Sequence, residues 1–236
     1  MHTLYFPSRF AGGLLTALVL LSSCRKVDAE LVDRTLPLAA FEGLEVRVGA
    51  NVELSEGPTQ KVEVRGSADF VNRLRTTVDN GTWKAEVDGT VRDQSQMTIR
   101  VTLPRLRRLV MAGSGAVRGL TSFSSPALDV AHSGSGSVLL ATTATDLAVN
   151  LSGSGPVELA GTAVNQTVRL SGSGNYQGFG LNSAHTQATV SGSGDAQVWA
   201  TATLRAAIPG SGNVRYKGRP TLTVSTPGSG RVIDSN

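Results

Sequence analysis

From Leu44 onward, apolar residues recur at every second position: Leu44, Val46 and Val48, then Val52 and Leu54, then Val62 and Val64. A period of two sends alternate side chains to opposite faces of an extended chain, so these segments predict strands with one buried face. Asp79-Asn80-Gly81 separates Val78 from the alternating Trp83, Ala85 and Val87, and Asn-Gly supplies the positive φ angles of a tight hairpin. Met97, Ile99, Val101 and Leu103 predict another strand, ended by Pro104, and only 68–75 reads as a helical turn or two.

The second half keeps the same alternation and adds a repeat. Gly-Ser-Gly begins at Gly113, Gly134, Gly153, Gly172, Gly192, Gly210 and Gly228, so one unit spans about 19 residues. Counting back from each triplet, even positions are mostly apolar (Leu128 and Val130; Leu147, Val149 and Leu151; Val168 and Leu170; Leu204, Ala206 and Ile208), whereas Asp129, Asn150, Arg169 and Thr189 fill the odd ones. The phase continues after the triplet through Val138 and Leu140, Val157 and Leu159, Tyr176, Ala196 and Val198. A unit this short cannot bury its own apolar face, so the coils must stack and share a core. The predicted fold is all-β: a parallel β-helix or β-solenoid of about 19-residue Gly-Ser-Gly coils, with a less regular N-terminal β region.

This phase turns both glycines of each triplet inward, to a corner where backbone meets backbone, and the serines outward. Ser133, Ser152, Ser171 and Ser191 then form one surface column, and Ser135, Ser154, Ser173, Ser193 and Ser211 a second, spaced by roughly 4.8 Å. Ser135, Ser154, Ser173 and Ser193, together with Trp199 at an outward position, are the candidate binding stripe. Pro209 and Pro227 replace the serine before the last triplets and predict less regular final coils. The last coil, 221–236, has no amphipathic helix after it, and an uncovered edge predicts weak self-association through Val224 and Val232 unless Pro227, Arg231 and Asp234 blunt it.

The first residues read as an address. Arg9 precedes an apolar run from Phe10 to Leu21 that is too short to span a bilayer, and Leu21-Ser22-Ser23-Cys24 closes it. These four residues resemble the lipobox of bacterial lipoproteins, which implies cleavage before Cys24 and acylation of that cysteine. Arg25 after it implies the outer membrane by resemblance to the enteric sorting rule. The expected organisation is a signal peptide over 1–23, a tether over 24–37, the irregular β region over 38–112 and the regular array over 113–236. Cys24 is the only cysteine, so no intramolecular disulfide can form.

The segments "FEGLEVRVGANVELSEG", "TTVDNGTWKAEV", "VTLPRLRRLVMAGSGAV" and the repeated "LSGSG" resemble the bacterial family described as putative auto-transporter adhesin, head GIN domain. The resemblance spans about residues 38–236 and rests most on Leu103 to Leu106 followed by the serine-glycine ladder. It implies an exported, right-handed β-helical domain, common as a lipoprotein, and brings no catalytic residues to carry over.

Charge and candidate chemistry add little to this picture. The formal net charge is +4, and only Arg105, Arg107 and Arg108 cluster, which falls short of the basic stripe that nucleic acid needs. Of the histidines, His132 sits at an inward position and His185 stands apart; neither has a cysteine partner, so no metal site or cofactor is expected. The residue after each triplet (Ala116, Ser137, Pro156, Asn175, Asp195, Asn213, Arg231) is not the repeated aspartate of a calcium roll. Asp129 and Asp146 share outward parity on consecutive coils, roughly 8 Å apart, as an inverting glycosidase pair would be. Three classes fit: a non-catalytic envelope lipoprotein that binds a glycan or other surface ligand or acts in adhesion, a structural module that stacks on copies of itself, and a polysaccharide lyase or hydrolase. The first accords best with a surface poor in acids and aromatics.

Overall fold

The computed structural model describes residues 31–91, 94 and 96–236. The expected signal peptide and Cys24 lie outside the described residues. The described residues form a sheet of sixteen strands wound into a β-solenoid of about seven turns. The N-terminal part contains β1 (Leu31–Thr35), β2 (Gly43–Val46), β3 (Asn51–Glu56), β4 (Lys61–Ser67), helix α1 (Ala68–Arg73), β5 (Val78–Asp79), β6 (Thr82–Ala85), β7 (Thr98–Leu103) and β8 (Arg108–Met111). The coils follow as β9 (Ala116–His132), β10 (Ser137–Leu151), β11 (Val157–Leu170), β12 (Tyr176–Val190), β13 (Ala196–Ala207), β14 (Val214–Lys217), β15 (Thr221–Ser225) and β16 (Val232–Asp234).

From β9 to β16 every ladder is parallel, one coil above the next. The stack begins earlier than the triplets do. β2 runs parallel to β6 and β8, and β3 runs parallel to β7 and β9, so Val48-Gly49-Ala50 turns the corner beneath Gly113-Ser114-Gly115. Antiparallel pairs β1–β4, β4–β7 and β5–β6 close that end. The hairpin at Asn80-Gly81 forms with φ of 48° and 69°, and the short helix is capped by the Ser67 hydroxyl accepting from the Phe70 N–H. The segment expected to be a tether, 24–37, is corrected in part. β1 occupies 31–35 and pairs with β4 along its whole length, Leu31 opposite Ser67 and Thr35 opposite Glu63. Its mixed charges hid a strand that lies at an edge, where one polar face is expected.

Every coil of odd length must break the alternation once. The coils that begin at Gly134 and Gly153 do so with two successive outward residues, Thr145-Asp146 and Val164-Asn165, between the buried Ala144 and Leu147 and between Ala163 and Gln166. Inside, side chains stack in columns. One runs Leu128, Leu147, Gln166, Thr186, Leu204 and Leu222. Another runs Val117, Val138, Val157, Tyr176, Ala196, Val214 and Val232. Nearly all of these are buried, and each buried side chain of leucine or valine size contributes about 1.5–3 kcal/mol.

Polar residues interrupt both columns in the middle coils. Gln166 Nε2 donates to the Tyr176 hydroxyl at 2.5 Å, while the Ser183 and Thr186 hydroxyls lie 2.5 Å apart and 3.2 and 3.3 Å from Gln166 Oε1. Ser183 Oγ also lies 3.1 Å from the Trp199 carbonyl. All four side chains are at most 3% exposed, and burial pushes the titration of the Tyr176 hydroxyl well above its ordinary range.

At the last coil, β15 pairs with β13 on one side, and Leu222 and Val224 are 42% and 47% exposed. The expectation that Pro227, Arg231 and Asp234 blunt this end missed the residue most engaged there. Asn236 accepts the Gly218 N–H through its side-chain oxygen and donates its amide to the Gly218 carbonyl, both at 2.9 Å, as a neighbouring strand would.

Candidate ligand-binding faces

The glycine corner is built from backbone. A Cβ on Gly134, Gly153, Gly172 or Gly192 would lie well under 3.0 Å from a carbonyl oxygen of the coil before it. The chain therefore passes the corner at backbone contact distance, and the intervening serines are pushed to the surface. Ser135, Ser154, Ser173 and Ser193 are all exposed, and their hydroxyls bond no protein group. The companion column is partly spent: Ser152 Oγ donates to the His132 carbonyl at 3.4 Å and Ser191 Oγ to the Leu170 carbonyl at 3.1 Å. A shallow groove of about 340 Å³ runs beside that column, between Ser133, Ser152, Ser171, Ser191 and Arg169.

The structure brings the four serines into one row and sets Trp199 apart from it. Trp199 lies six residues beyond Ser193, about 20 Å along the extended chain, and is 37% exposed. Around it stand residues that the sequence reading passed over: Gln177, Gln197 and Arg215 in register, and Lys217 opposite Trp199. Their signal was present in the phase, since Gln177, Gln197 and Arg215 each fall five residues after the first glycine of a triplet.

The residue after a triplet has a structural use in three of the coils. Asn175 Oδ1 accepts the Asp195 N–H, Asp195 Oδ1 accepts the Asn213 N–H, and Asn213 Oδ1 accepts the Arg231 N–H, at 2.9, 2.8 and 3.1 Å. Each side chain thus bonds a backbone donor of the next coil, which fastens successive corners together.

The acid pair and the two histidines singled out in the sequence each have a protein partner. Asp129 registers opposite Ala148 and Asp146 opposite Ala127, so the two carboxylates are offset diagonally on neighbouring strands. Asp129 pairs with Arg108 Nη1 at 2.6 Å and accepts from Asn150, and Asp146 accepts from Asn165 at 2.8 Å. His132 is buried, with Nε2 2.7 Å from the Gly136 carbonyl and Nδ1 without a hydrogen-bond partner; His185 meets Thr203 on the surface. Among the described residues no three metal-ligating side chains come together. Arg105 and Arg107 face Glu42 at 3.9 and 2.6 Å, so with Arg108 the whole trio is paired.

A family profile described as "Putative auto-transporter adhesin, head GIN domain" matches residues 40–220. The chain belongs to that family. Among solved structures, the family fold is close to that of a putative adhesin from Bacteroides fragilis, with a TM-score of 0.84 and 26% identity over 87% of this chain and 97% of that one. It is also similar to a putative lipid binding protein from Parabacteroides distasonis, with a TM-score of 0.70 and 23% identity over 89% and 98%. A putative adhesin from Parabacteroides merdae follows at 0.71 and 18% over the same shares of each chain. No curated protein matches the chain. The family's fold is thus the one that the glycine phase predicts, a stack of parallel coils.

Proposed function

We propose that the protein is a non-catalytic binding or adhesion domain of the bacterial cell envelope, held by a lipid on Cys24 and facing out from the outer membrane. The observation that carries this reading is the row of exposed, unpartnered hydroxyls along a stack whose interior is filled. A rigid periodic face suits recognition of an extended ligand, and of the two carboxylates singled out Asp129 is held by Arg108. The Bacteroides relative, itself described as a putative adhesin, accords with it. Protease shaving of intact cells tests the reading: removal of a C-terminal epitope is expected, and full protection would end the surface adhesin reading.

Cys24→Ala should release the protein from the membrane fraction or leave it as uncleaved precursor, because no described helix is long and apolar enough to cross a bilayer. A variant extracted only by detergent would refute the anchor.

A second reading, weak self-association through residues 221–236, is favoured by the exposed Leu222 and Val224 on β15, which has a ladder partner on one side only. Sedimentation of the delipidated protein should show a concentration-dependent dimer that Thr223→Lys abolishes; a monomer throughout would eliminate it.

A further inference from the structure

Eight aromatic side chains fall among the described residues, and five of them (Phe41, Phe70, Trp83, Phe123 and Tyr176) are at most 3% exposed. The three that escape burial, Phe179, Trp199 and Tyr216, lie on the consecutive strands β12, β13 and β14. Tyr216 still packs in part against the core, so core packing leaves Phe179 and Trp199 unexplained. Trp199 points outward from β13 in register with Lys217 of β14. The Lys217 ammonium in turn lies 4.7 Å from the centre of the Phe179 ring, two coils back, so it reaches across the level of Trp199. Gly218 has a φ of +94°, and a Cβ there would stand 3.2 Å from Trp199 Cδ1. The glycine is demanded first by the Ala200 carbonyl oxygen, with which a Cβ would collide, and it also keeps the edge of the indole clear; Asn236 fastens the Gly218 peptide through its side chain.

Two residues before Trp199 on the same face, about 7 Å away, stands Gln197, flanked in register by Gln177 and Arg215. The Gln177 and Gln197 amides bond no protein group. Arg215 is only loosely paired with Asp195, at 3.7 Å, and Lys217 has no acidic partner among the described residues. In the same ladder rows of earlier coils stand Leu139 and Glu158 and, in the row of Trp199, Thr143, Thr162 and Asn182, so the set of long amide and cationic side chains beside an exposed indole is confined to β12–β14.

We propose that the outward face of β12–β14 around Trp199 is a subsite for an acidic glycan. The apolar face of a pyranose ring stacks on the indole, its hydroxyls bond the planar amides of Gln177 and Gln197, and its carboxylate meets Lys217. Planar amides that both donate and accept suit sugar hydroxyls, and two cations with one exposed indole fall short of what a run of phosphates requires. The inference rests on the binding reading above and adds to the serine row a separate subsite that would hold one acidic residue of the glycan.

Affinity electrophoresis of the full-length protein in detergent, with polygalacturonate and with neutral dextran, tests it. Wild-type protein should be retarded by polygalacturonate and at least about tenfold less by dextran. Trp199→Ala should weaken the retardation at least about tenfold, Trp199→Phe should keep most of it, and Lys217→Gln should lower it for polygalacturonate alone. Ser154→Ala with Ser173→Ala should change nothing, and unchanged thermal melting of Trp199→Ala separates lost binding from lost fold. Retardation that survives Trp199→Ala but falls in the serine double variant overturns the site and leaves the binding reading standing. Absence of retardation by polygalacturonate overturns the site; if cells also protect the protein from protease, the adhesion reading falls with it.

Discussion

Gly172→Val is expected to destabilise the protein by more than about 4 kcal/mol, whereas Ser173→Ala one residue later shifts stability by no more than about 0.5 kcal/mol. A Cβ on Gly172 would collide with the carbonyl oxygens of both Ser152 and Gly153. Those oxygens cannot withdraw, because the coils on either side are tied by the ladder: Gly174 N–H donates to Gly153 O at 3.0 Å, and Ser193 N–H donates to Gly172 O at 3.1 Å. Relief would require separating two coils and exposing the columns between them. Ser173, by contrast, is exposed and its hydroxyl bonds nothing in the protein. Urea unfolding followed by circular dichroism measures both, and comparable losses from the two substitutions would mean that the corner is not packed as described.

The second large effect is expected at the other end of the stack. Trp83→Ala should cost about 3–5 kcal/mol, the range for deleting a buried aromatic ring, and Trp83→Phe clearly less. Trp83 is fully buried on β6, its ring centre 5.8 Å from that of Phe41, and its indole N–H donates to the Arg75 carbonyl at 2.9 Å. Removing the ring leaves a cavity and takes the indole donor from the Arg75 carbonyl. β6 pairs with β2, which pairs with β8 and through it with β9, so the lost stability should appear as one earlier transition of the whole protein. Calorimetry that resolves an early N-terminal transition from an unshifted later one would contradict this coupling.

The periodic half was legible because two constraints repeat in it. Inward glycines have no substitute at a backbone contact, and the apolar columns must recur once per coil, so counting outward from a triplet gives the burial of the residues on either side of it as far as the break in mid-coil. The N-terminal part yielded its hairpin, its short helix and its strands, but not the fact that Val48-Gly49-Ala50 is already a corner of the stack. Gly49 lies beneath Ser114, and Val48 and Ala50 hold the places of the two later glycines, so without a repeat to set the phase the segment reads as a turn. β1 was hidden by charges that an edge strand tolerates. In the candidate face, Trp199 was visible as an outward aromatic, whereas Gln177, Gln197 and Lys217 gained meaning only when the ladder put them beside it. The buried hydrogen bonds of the middle coils left a trace that was readable, since Gln166 and Thr186 each stand six residues before a triplet, where leucine is usual.

That interruption bears on how a chain of interchangeable units keeps count. Neighbouring coils offer one another almost the same apolar surface, so a folding chain could dock a coil against the wrong neighbour, out by one unit, with little loss of hydrophobic burial. Such a slip would separate Gln166 from Tyr176, Ser183 and Thr186 and bury several hydrogen-bonding groups against leucine and valine. Each group left unsatisfied costs about 1–3 kcal/mol. The four polar side chains thus work as a checksum: they add little where the count is right and penalise every arrangement in which it is wrong.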